Sequence, residues 1–377
     1  MTFTIKHKDK KTKARIGELE TKSGKVETPF FMPVTTNGTA KFLTTRDLKE
    51  IQVPTVISNA LILSLRPGLK ILKKFGGIKK FMAWNGINFT DSGGFQMYSD
   101  FIYKNSNDKE VEFKSPFDGK KIFMTPEENM RVQLEINSDV AMCLDTMPMY
   151  THSKEDIKEA VRKTKIWAER CKKEHDKIQR KNKISKEKRQ LLFGIIQGGV
   201  FSDLRKDCAE KLVSLNFDGY SIGGFGLGET FEEEMKIVEQ QKKIIPENKP
   251  VYLMGIGSPC EILEAISHGV DIFDSRLPTK NARHGLLYTS KGELKLTLKE
   301  NEFSRKPIDE HCNCFVCKNY SRAYLRHLLQ RDEGAGKTLV SYHNIFYLTK
   351  LIEKAKEEIK KGKFQEFKKE MQKIYRK

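Results

Sequence analysis

A closed (β/α)₈ TIM barrel, an α/β fold of eight parallel strands ringed by helices, is the architecture this sequence predicts. Two observations predict it. Short β-branched or aromatic runs recur eight times, at Thr28–Val34, Pro54–Leu63, Ile87–Ser92, Asp139–Asp145, Gln190–Gln197, Gly219–Gly224, Pro250–Gly255 and Val270–Leu277. Between them lie stretches such as Lys154–Lys188 and Glu229–Lys243, charged with a minority of apolar positions, as solvent-facing helices are. Eight strands alternating with helices favour a closed barrel. The rival is a doubly wound open sheet, but no Gly-rich phosphate turn follows the first run.

The remaining elements follow in order. Phe3–Ile5 and Ala14–Thr21, with Ser23-Gly24 as a turn, predict an antiparallel β cap over residues 1–26, across one barrel end. The barrel proper is expected over 27–284 and 344–377. Lys172–Arg189 is so charged that it reads as a surface helix with its loop. Ile345, Leu348, Ile352, Ala355 and Ile359 fall at helical spacing, which predicts a last helix docked on the barrel wall. Gly362 then breaks it before a basic tail, Lys363–Lys377.

Composition limits the function. The 377 residues are 38% hydrophobic and 10% aromatic, enough for a sizeable core, and the formal net charge is +19. Such an excess of Lys and Arg suits a polyanionic partner, because each phosphate neutralised releases counterions. No apolar run approaches the ~18 residues that span a bilayer, and the first residues lack the apolar segment of a secretory signal. A soluble, cytoplasmic chain with no membrane partner is expected.

Seven cysteines, unevenly spread, argue for reduced thiols rather than a disulfide framework. Cys312, Cys314 and Cys317 form a C-x-C-x₂-C cluster that suits one tetrahedral Zn²⁺ per chain. His343 is the leading fourth donor, expected at the start of the last helix, with His327 and His311 as rivals. With no obvious open position, the metal is read as structural, within a subdomain spanning 285–343.

Active sites of such barrels lie at the C-terminal ends of the strands. Those ends carry Thr90-Asp91-Ser92-Gly93-Gly94-Phe95-Gln96, then Asp145, Gln197-Gly198-Gly199, Gly223-Gly224, and a final strand bearing Asp271 and Asp274. Acids from three strands are thus expected at one mouth. The glycines let backbone N–H groups approach a flat ligand. Two carboxylates flanking a sugar bond are the apparatus of retaining glycosyl transfer, one attacking the anomeric carbon and the other moving the proton. With a basic surface, the sugar can be a ribose of RNA.

These residues resemble those of the bacterial-type tRNA-guanine transglycosylases, or queuine tRNA-ribosyltransferases. The similarity runs from about the first strand to His343. Besides the stretches just quoted it is carried by Gly194-Ile195-Ile196-Gln197-Gly198-Gly199-Val200, Tyr252-Leu253-Met254-Gly255-Ile256-Gly257, Phe273-Asp274-Ser275-Arg276-Leu277-Pro278-Thr279 and the C-x-C-x₂-C…His set. The resemblance implies exchange of the wobble guanine of GUN-anticodon tRNA for a free 7-deazaguanine, in queuosine biosynthesis. Asp274 would be the nucleophile that forms a covalent ribosyl–enzyme, and Asp91 the general acid and base. Asp145, Gln197 and the backbone of Gly224 would read the base edge, Tyr252 and Met254 would sandwich its faces, and Asp91, Ser92, Gly93, Gly94 and Phe95 would complete the pocket. Gly255, Ile256, Gly257, Ser258, Pro259, Cys260 and Glu261 would hold RNA, with Thr279, Lys280, Asn281, Ala282 and Arg283. The resemblance also implies a homodimer and no nucleotide cofactor.

The sequence departs from the bacterial pattern at several places. Thr146-Met147 follows Asp145 where Glu-Cys is usual, Phe95 replaces a common Tyr, and Leu227 stands where a smaller side chain is usual. A bulkier Leu227 should favour a small aminomethyl or cyano 7-substituent over queuine, and the retained Glu229 would face an aminomethyl cation. The chain lacks the long C-terminal RNA-binding extension of the archaeal enzymes, which favours the wobble position. A non-catalytic tRNA-binding subunit is the alternative reading, opposed by the presence of both Asp91 and Asp274. A barrel hydrolase with catalytic zinc is a third, disfavoured because the metal set lies off the strand ends.

Overall fold

The structure, a computed structural model, describes residues 2–97, 102–147, 151–225 and 228–375. Its centre is a ring of eight parallel strands: Phe30–Pro33, Thr55–Asn59, Ile87–Asp91, Val140–Met142, Leu191–Ile196, Gly219–Ile222, Val251–Leu253 and Ile272–Ser275. Neighbours in sequence are neighbours in the sheet, and the eighth strand pairs with the first. Between the first two strands the ring closes through a parallel bridge, Val34 to Ile57, where the Thr35 N–H donates to the Ile57 carbonyl at 2.7 Å. The eight predicted runs are these eight strands.

Strand periodicity divides the core in two. Successive side chains point to opposite faces, so Phe30, Met32, Ile57, Phe89, Val140, Met142, Leu191, Phe193, Ile195, Tyr252 and Ile272 fill the barrel interior. Their neighbours Phe31, Ala141, Leu192, Ile196, Leu253 and Phe273 face the helices. The cap seals the N-terminal end. Its three antiparallel strands, Phe3–Lys8, Arg15–Thr21 and Gly24–Thr28, insert Phe3, Leu19 and Val26 into the same interior cluster. The third of them runs to Thr28, two residues beyond the expected boundary.

One buried ion pair bolts cap to barrel. Arg15 meets Asp271 in a two-pronged contact, Nε to Oδ1 at 2.9 Å and Nη2 to Oδ2 at 2.6 Å. The guanidinium also donates to the carbonyls of Glu247 and Lys249, and Asp271 accepts from the Val251 N–H. Every charge-bearing edge is thus used, which is what keeps such a pair tolerable out of water. Asp271 therefore sits at the sealed end of the barrel. The expectation that it faces the mouth alongside Asp274 does not hold.

Three further elements go beyond the sequence reading, a small sheet, the bounds of the last long helix and a helical tail, while the charged surface helix after the fourth strand is as expected. After the third barrel strand the chain forms a small antiparallel sheet, Tyr103–Ser106, Val111–Lys114 and Lys121–Met124, that the reading lacked. The helix after the fourth strand spans Lys154–Lys181, started by a Ser153–Asp156 capping box. It is anchored late in its course, since buried His175 and Gln179 both reach Gln190. The last long helix runs unbroken from Gly334 to Lys360, across the expected 343/344 boundary, with Ile345, Leu348, Ile352, Ala355 and Ile359 buried. The basic tail is helical, Phe364–Tyr375, and packs on the helix Pro259–Ser267 through buried Phe364 and Met371. Among the described residues no helix is long and apolar enough to cross a membrane.

Asp271→Ala strands the Arg15 guanidinium in the sealed end. Loss of one partner of such a pair costs about 3–5 kcal/mol, so denaturant unfolding should show a destabilisation of that size. The Arg15→Met, Asp271→Leu double variant should regain part of it. A loss below about 1 kcal/mol, the level of an exposed pair, would mean that the contact is dispensable.

Candidate active site and metal centre

The same alternation that fills the barrel aims two acids out of it. Phe89 points inward, so Asp91, two residues on at the strand's C-terminal end, points along the same face into the mouth. Ile272 and Asp274 repeat the arrangement on the eighth strand. Asp91 accepts from the Gly93 N–H at 2.8 Å and from Asn59 Nδ2 at 3.2 Å. Asp274 accepts from the Tyr252 hydroxyl at 2.5 Å and from the Gly255 N–H at 3.1 Å. Burial pushes the Asp91 carboxyl up to about 7, against the pull of its donors, and the charge of Asp274 adds to the rise. Burial raises Asp274 as well, while Tyr252 and the Gly255 N–H draw it back. The two acids therefore share one desolvated mouth, close enough for the charge of Asp274 to act on Asp91.

Beside them lies a cleft lined with hydrogen-bonding groups. Asp145 accepts from Ser92 Oγ at 3.3 Å and from Gln197 Nε2 at 2.7 Å, and burial raises its carboxyl to about 6. Gln197 Oε1 is buried with no partner. An orphaned acceptor of this kind is rare in a folded protein and marks a place where a ligand belongs. Two glycines keep the cleft open. A Cβ on Gly94 would lie 2.9 Å from Asp145 Oδ1, and one on Gly224, where φ is +78°, would lie 2.6 Å from Gln197 Oε1.

Supporting residues absent from the sequence reading hold this floor. Asn59 ends the second strand beside Asp91. Asn129 donates to the Ser92 carbonyl at 2.7 Å and is itself held by Gln133, which bonds Thr90 and the Met142 backbone. Fully buried Arg205 donates to the carbonyls of Ile196 and Gly199, on either side of Gln197. The signals were a polar residue at a strand end and polar residues on helix faces otherwise packed against strands.

The predicted residues fall out unevenly. Tyr252 is fully buried with its ring in the barrel interior, against Phe89, so it presents a hydroxyl to Asp274 and no open face to a base. Met254, half-buried on the same strand face, borders the mouth. The Phe95 side chain and Leu227 lie outside the described residues. Thr146 turns away from the cleft, its hydroxyl bonding the Ala160 carbonyl and Thr164. Of the stretch after the seventh strand, Ile256, Gly257 and Pro259 are buried; Gly255 is exposed and Ser258, Cys260 and Glu261 are partly so. Ser258 caps the next helix through the Glu261 N–H. Beyond the eighth strand, Thr279 and Ala282 are buried, Lys280 is exposed, and Asn281 and Arg283 are half-buried.

The cysteine cluster closes as expected. The Sγ atoms of Cys312, Cys314 and Cys317 and Nδ1 of His343 all lie within 4.8 Å of one another. The sulfur–nitrogen separations are 3.9, 3.5 and 3.4 Å. A tetrahedral zinc with the usual bond lengths needs about 3.6 Å between such donors. His343 Nε2 donates to the Tyr288 carbonyl at 2.8 Å, which leaves Nδ1 unprotonated and aimed at the sulfurs. His343 lies in the third turn of its helix rather than at the start. His311 and His327 are exposed and outside the cluster. The residues fit a metal.

Comparison with known proteins agrees with this geometry. A family model described as Queuine tRNA-ribosyltransferase matches residues 9–377. A queuine tRNA-ribosyltransferase of Thermoanaerobacter sp. (strain X514) is 44% identical over 375 residues, 99% of this chain and 97% of its own length. Those of Halothermothrix orenii, 40% identical, and Thermotoga neapolitana, 44% identical, cover 100% and 96% of the chain and 98% and 95% of their own lengths. Across its whole barrel and its metal cluster, the chain belongs to the queuine tRNA-ribosyltransferase family, the tRNA-guanine transglycosylases, and is an enzyme of that class.

Proposed function

We propose that this enzyme exchanges the wobble guanine of GUN-anticodon tRNA for 7-aminomethyl-7-deazaguanine, through a ribosyl ester on Asp274, as a step of queuosine biosynthesis. The observation that carries the proposal is the pair of half-buried, differently bonded carboxylates at one mouth. Asp274 has two donors, a hydroxyl and a backbone N–H, that stabilise its anion, as a nucleophile requires. Asp91, raised to about 7, is protonated in about half of the molecules at neutrality and can both give and take a proton.

The steps then balance. An Asp274 oxygen attacks C1′ of the ribose, the C1′–N9 bond breaks, and its electrons go to guanine, which takes the Asp91 proton. The incoming deazaguanine gives its N9 proton back to Asp91 and attacks C1′, which frees Asp274. No nucleotide cofactor enters. Guanine-like bases present an N–H donor edge beside a carbonyl acceptor. Asp145 suits the donor edge, while Gln197 Nε2 and the Gly224 N–H suit the carbonyl. The target nucleotide must leave its stack, which an unpaired anticodon loop makes cheap. Tyr252 acts as a positioning residue on Asp274, and Met254 is left to cover the base. Glu229 supports the choice of an aminomethyl group, since its negative charge acts at the edge of this cleft, on Arg205.

The metal is proposed to be zinc, one per chain, held by Cys312, Cys314, Cys317 and His343. When bound it supplies a cross-link between the 285–343 segment and the last long helix. A homodimer is proposed on an aromatic face of that subdomain. Phe315 and Tyr324 are 44% and 47% exposed; Phe315 meets Tyr320 and Tyr342 edge-on, and Tyr324 stacks on Tyr320. The reaction is placed in the cytoplasm, with tRNA. A non-catalytic tRNA-binding subunit fits poorly with two preserved acids in working environments.

Asp274→Asn should abolish the protein–tRNA adduct that denaturing gels resolve, with tRNA affinity within about 3-fold of wild type; exchange of labelled guanine at the wild-type rate would remove the nucleophile assignment. Adduct formation requires ionised Asp274 and protonated Asp91, so its single-turnover rate should fall above about pH 7. Tyr252→Phe removes a donor that favours the Asp274 anion, and should move the acid limb of that profile upward. An acid limb that stays in place would leave the hydroxyl without this role. His343→Ala should lose the metal in elemental analysis and lower the melting temperature, and full retention would assign the fourth donor elsewhere.

A further inference from the structure

The first βα loop carries a feature that the exchange reaction does not use. Residues Ala40–Leu43 form a tight turn, closed by the Leu43 N–H donating to the Ala40 carbonyl at 3.0 Å. Phe42 occupies its third position with φ at +64°. That left-handed geometry suits glycine and is a genuine outlier for a bulky residue. Strain of this kind persists where the surrounding structure enforces it, and it clusters at binding sites.

Three cations gather on the Phe42 ring. Lys41 Nζ lies 5.5 Å from its centroid, Lys337 Nζ 5.5 Å and the Arg283 guanidinium carbon 5.6 Å. They come from three separate segments: the turn itself, the helix Leu277–Arg283 after the eighth strand, and the first turn of the helix Gly334–Lys360. Arg276 adds a fourth charge, near enough to repel Arg283. Among the described residues, no carboxylate pairs with Lys41, Arg276 or Arg283, while Lys337 pairs with Asp332 at 2.6 Å. Arg283 Nη1 is buried without a partner.

Cation–π contact offsets part of this repulsion, but it leaves a net positive site with an orphaned donor. An anion completes it. The position says which. In the sheet, Asp274 is in register with Met32 and Ser275 with Pro33, so the first loop leaves the barrel beside the proposed nucleophile. We propose that Phe42, Lys41, Lys337 and Arg283 form a phosphodiester-binding site that grips the RNA backbone next to the target nucleotide. Phe42 is the platform that holds the three cations at a common distance. This rests on the tRNA-exchange reading and adds Phe42, Lys41 and Lys337 to it.

The test is equilibrium binding of unmodified GUN-anticodon tRNA to the full-length protein between 50 and 200 mM salt. Each lost contact to a phosphate of a single strand lowers the slope of log affinity against log salt by about 0.7. Lys41→Ala and Lys337→Ala should each lower it by about that amount, and the double variant by about twice as much, with metal content and melting temperature unchanged. Phe42→Leu should weaken binding with all charges kept, and Lys41→Arg should restore the slope. Unchanged slope and affinity in the double variant, beside a wild type that binds, would overturn the site alone. A wild type that binds no tRNA would remove both the site and the reading beneath it. Weakened binding that sedimentation traces wholly to dissociation of a dimer would make this face a chain–chain contact and likewise overturn it.

Discussion

Everything at the mouth of this barrel depends on keeping two carboxylates out of water within reach of each other. In water both would ionise near pH 4 and neither could hold a proton at neutrality. Burial penalises the charged form of each, and the first anion further disfavours the second, so the pair settles toward one charge and one proton. Which acid keeps the proton is decided by burial and by the neighbouring charge more than by the number of donors. Asp274 has a phenol hydroxyl at 2.5 Å and the Gly255 N–H, whereas Asp91 has the backbone N–H groups of Gly93 and Ala60 and a longer contact to Asn59, yet burial and the charge of Asp274 raise it to about 7. The proposed division of labour between attack and proton transfer rests on that difference. The charged phosphates of RNA need not enter this desolvated space, since the basic groups lie around its rim.

Asp271 and Asp274 illustrate how position along a strand outweighs chemistry. They are three residues apart on the same strand run and would titrate alike as free side chains. At the sealed end Asp271 is neutralised by Arg15 and saturated with hydrogen bonds, and it serves as a rivet. At the open end Asp274 faces the mouth, and among the described residues no cation pairs with it. Barrel architecture separates stability from chemistry in this way, with the N-terminal face carrying the first and the C-terminal face the second.

Much of this was legible from sequence because strand parity is a strict rule. A run such as Ile87–Asp91 predicts both a strand and, at its end, an acid on the same face as the buried Phe89. The metal ligands were legible because closely spaced thiols have few other uses in a reduced chain. What escaped depends on facts that one-dimensional periodicity lacks. Tyr252 looked like a stacking aromatic, yet its odd–even register places the ring inside the barrel. Asp271 satisfied the rule of an acid on a strand, but the rule is silent about which end until the strand's bounds are known. The Tyr103–Met124 sheet is short, Lys-rich and alternating only in part, so its buried Val111 and Phe113 gave too weak a signal against the surrounding charge. Asn129, Gln133 and Arg205 act on residues 4 to 43 positions away in the chain, through contacts that only packing reveals.

The metal cluster, remote from the acids in sequence, is joined to the mouth by a continuous set of bonds. His343 is one such ligand, and its ring donates to the Tyr288 carbonyl. Asn344, the next residue, donates to the carbonyls of Pro278 and Leu286 and accepts from the Tyr288 N–H. Tyr288 in turn reaches the Gly257 carbonyl and Asn281 with its hydroxyl. Two consecutive residues of one helix therefore tie the cysteine cluster to the segments that leave the seventh and eighth barrel strands. Those segments carry Gly255, whose N–H holds Asp274, and Lys280 and Arg283 on the RNA side. A metal that only folded its own subdomain would need none of these links. A metal held by the cluster would thus have a bonded path to the loops on either side of Asp274 without taking part in the chemistry proposed there.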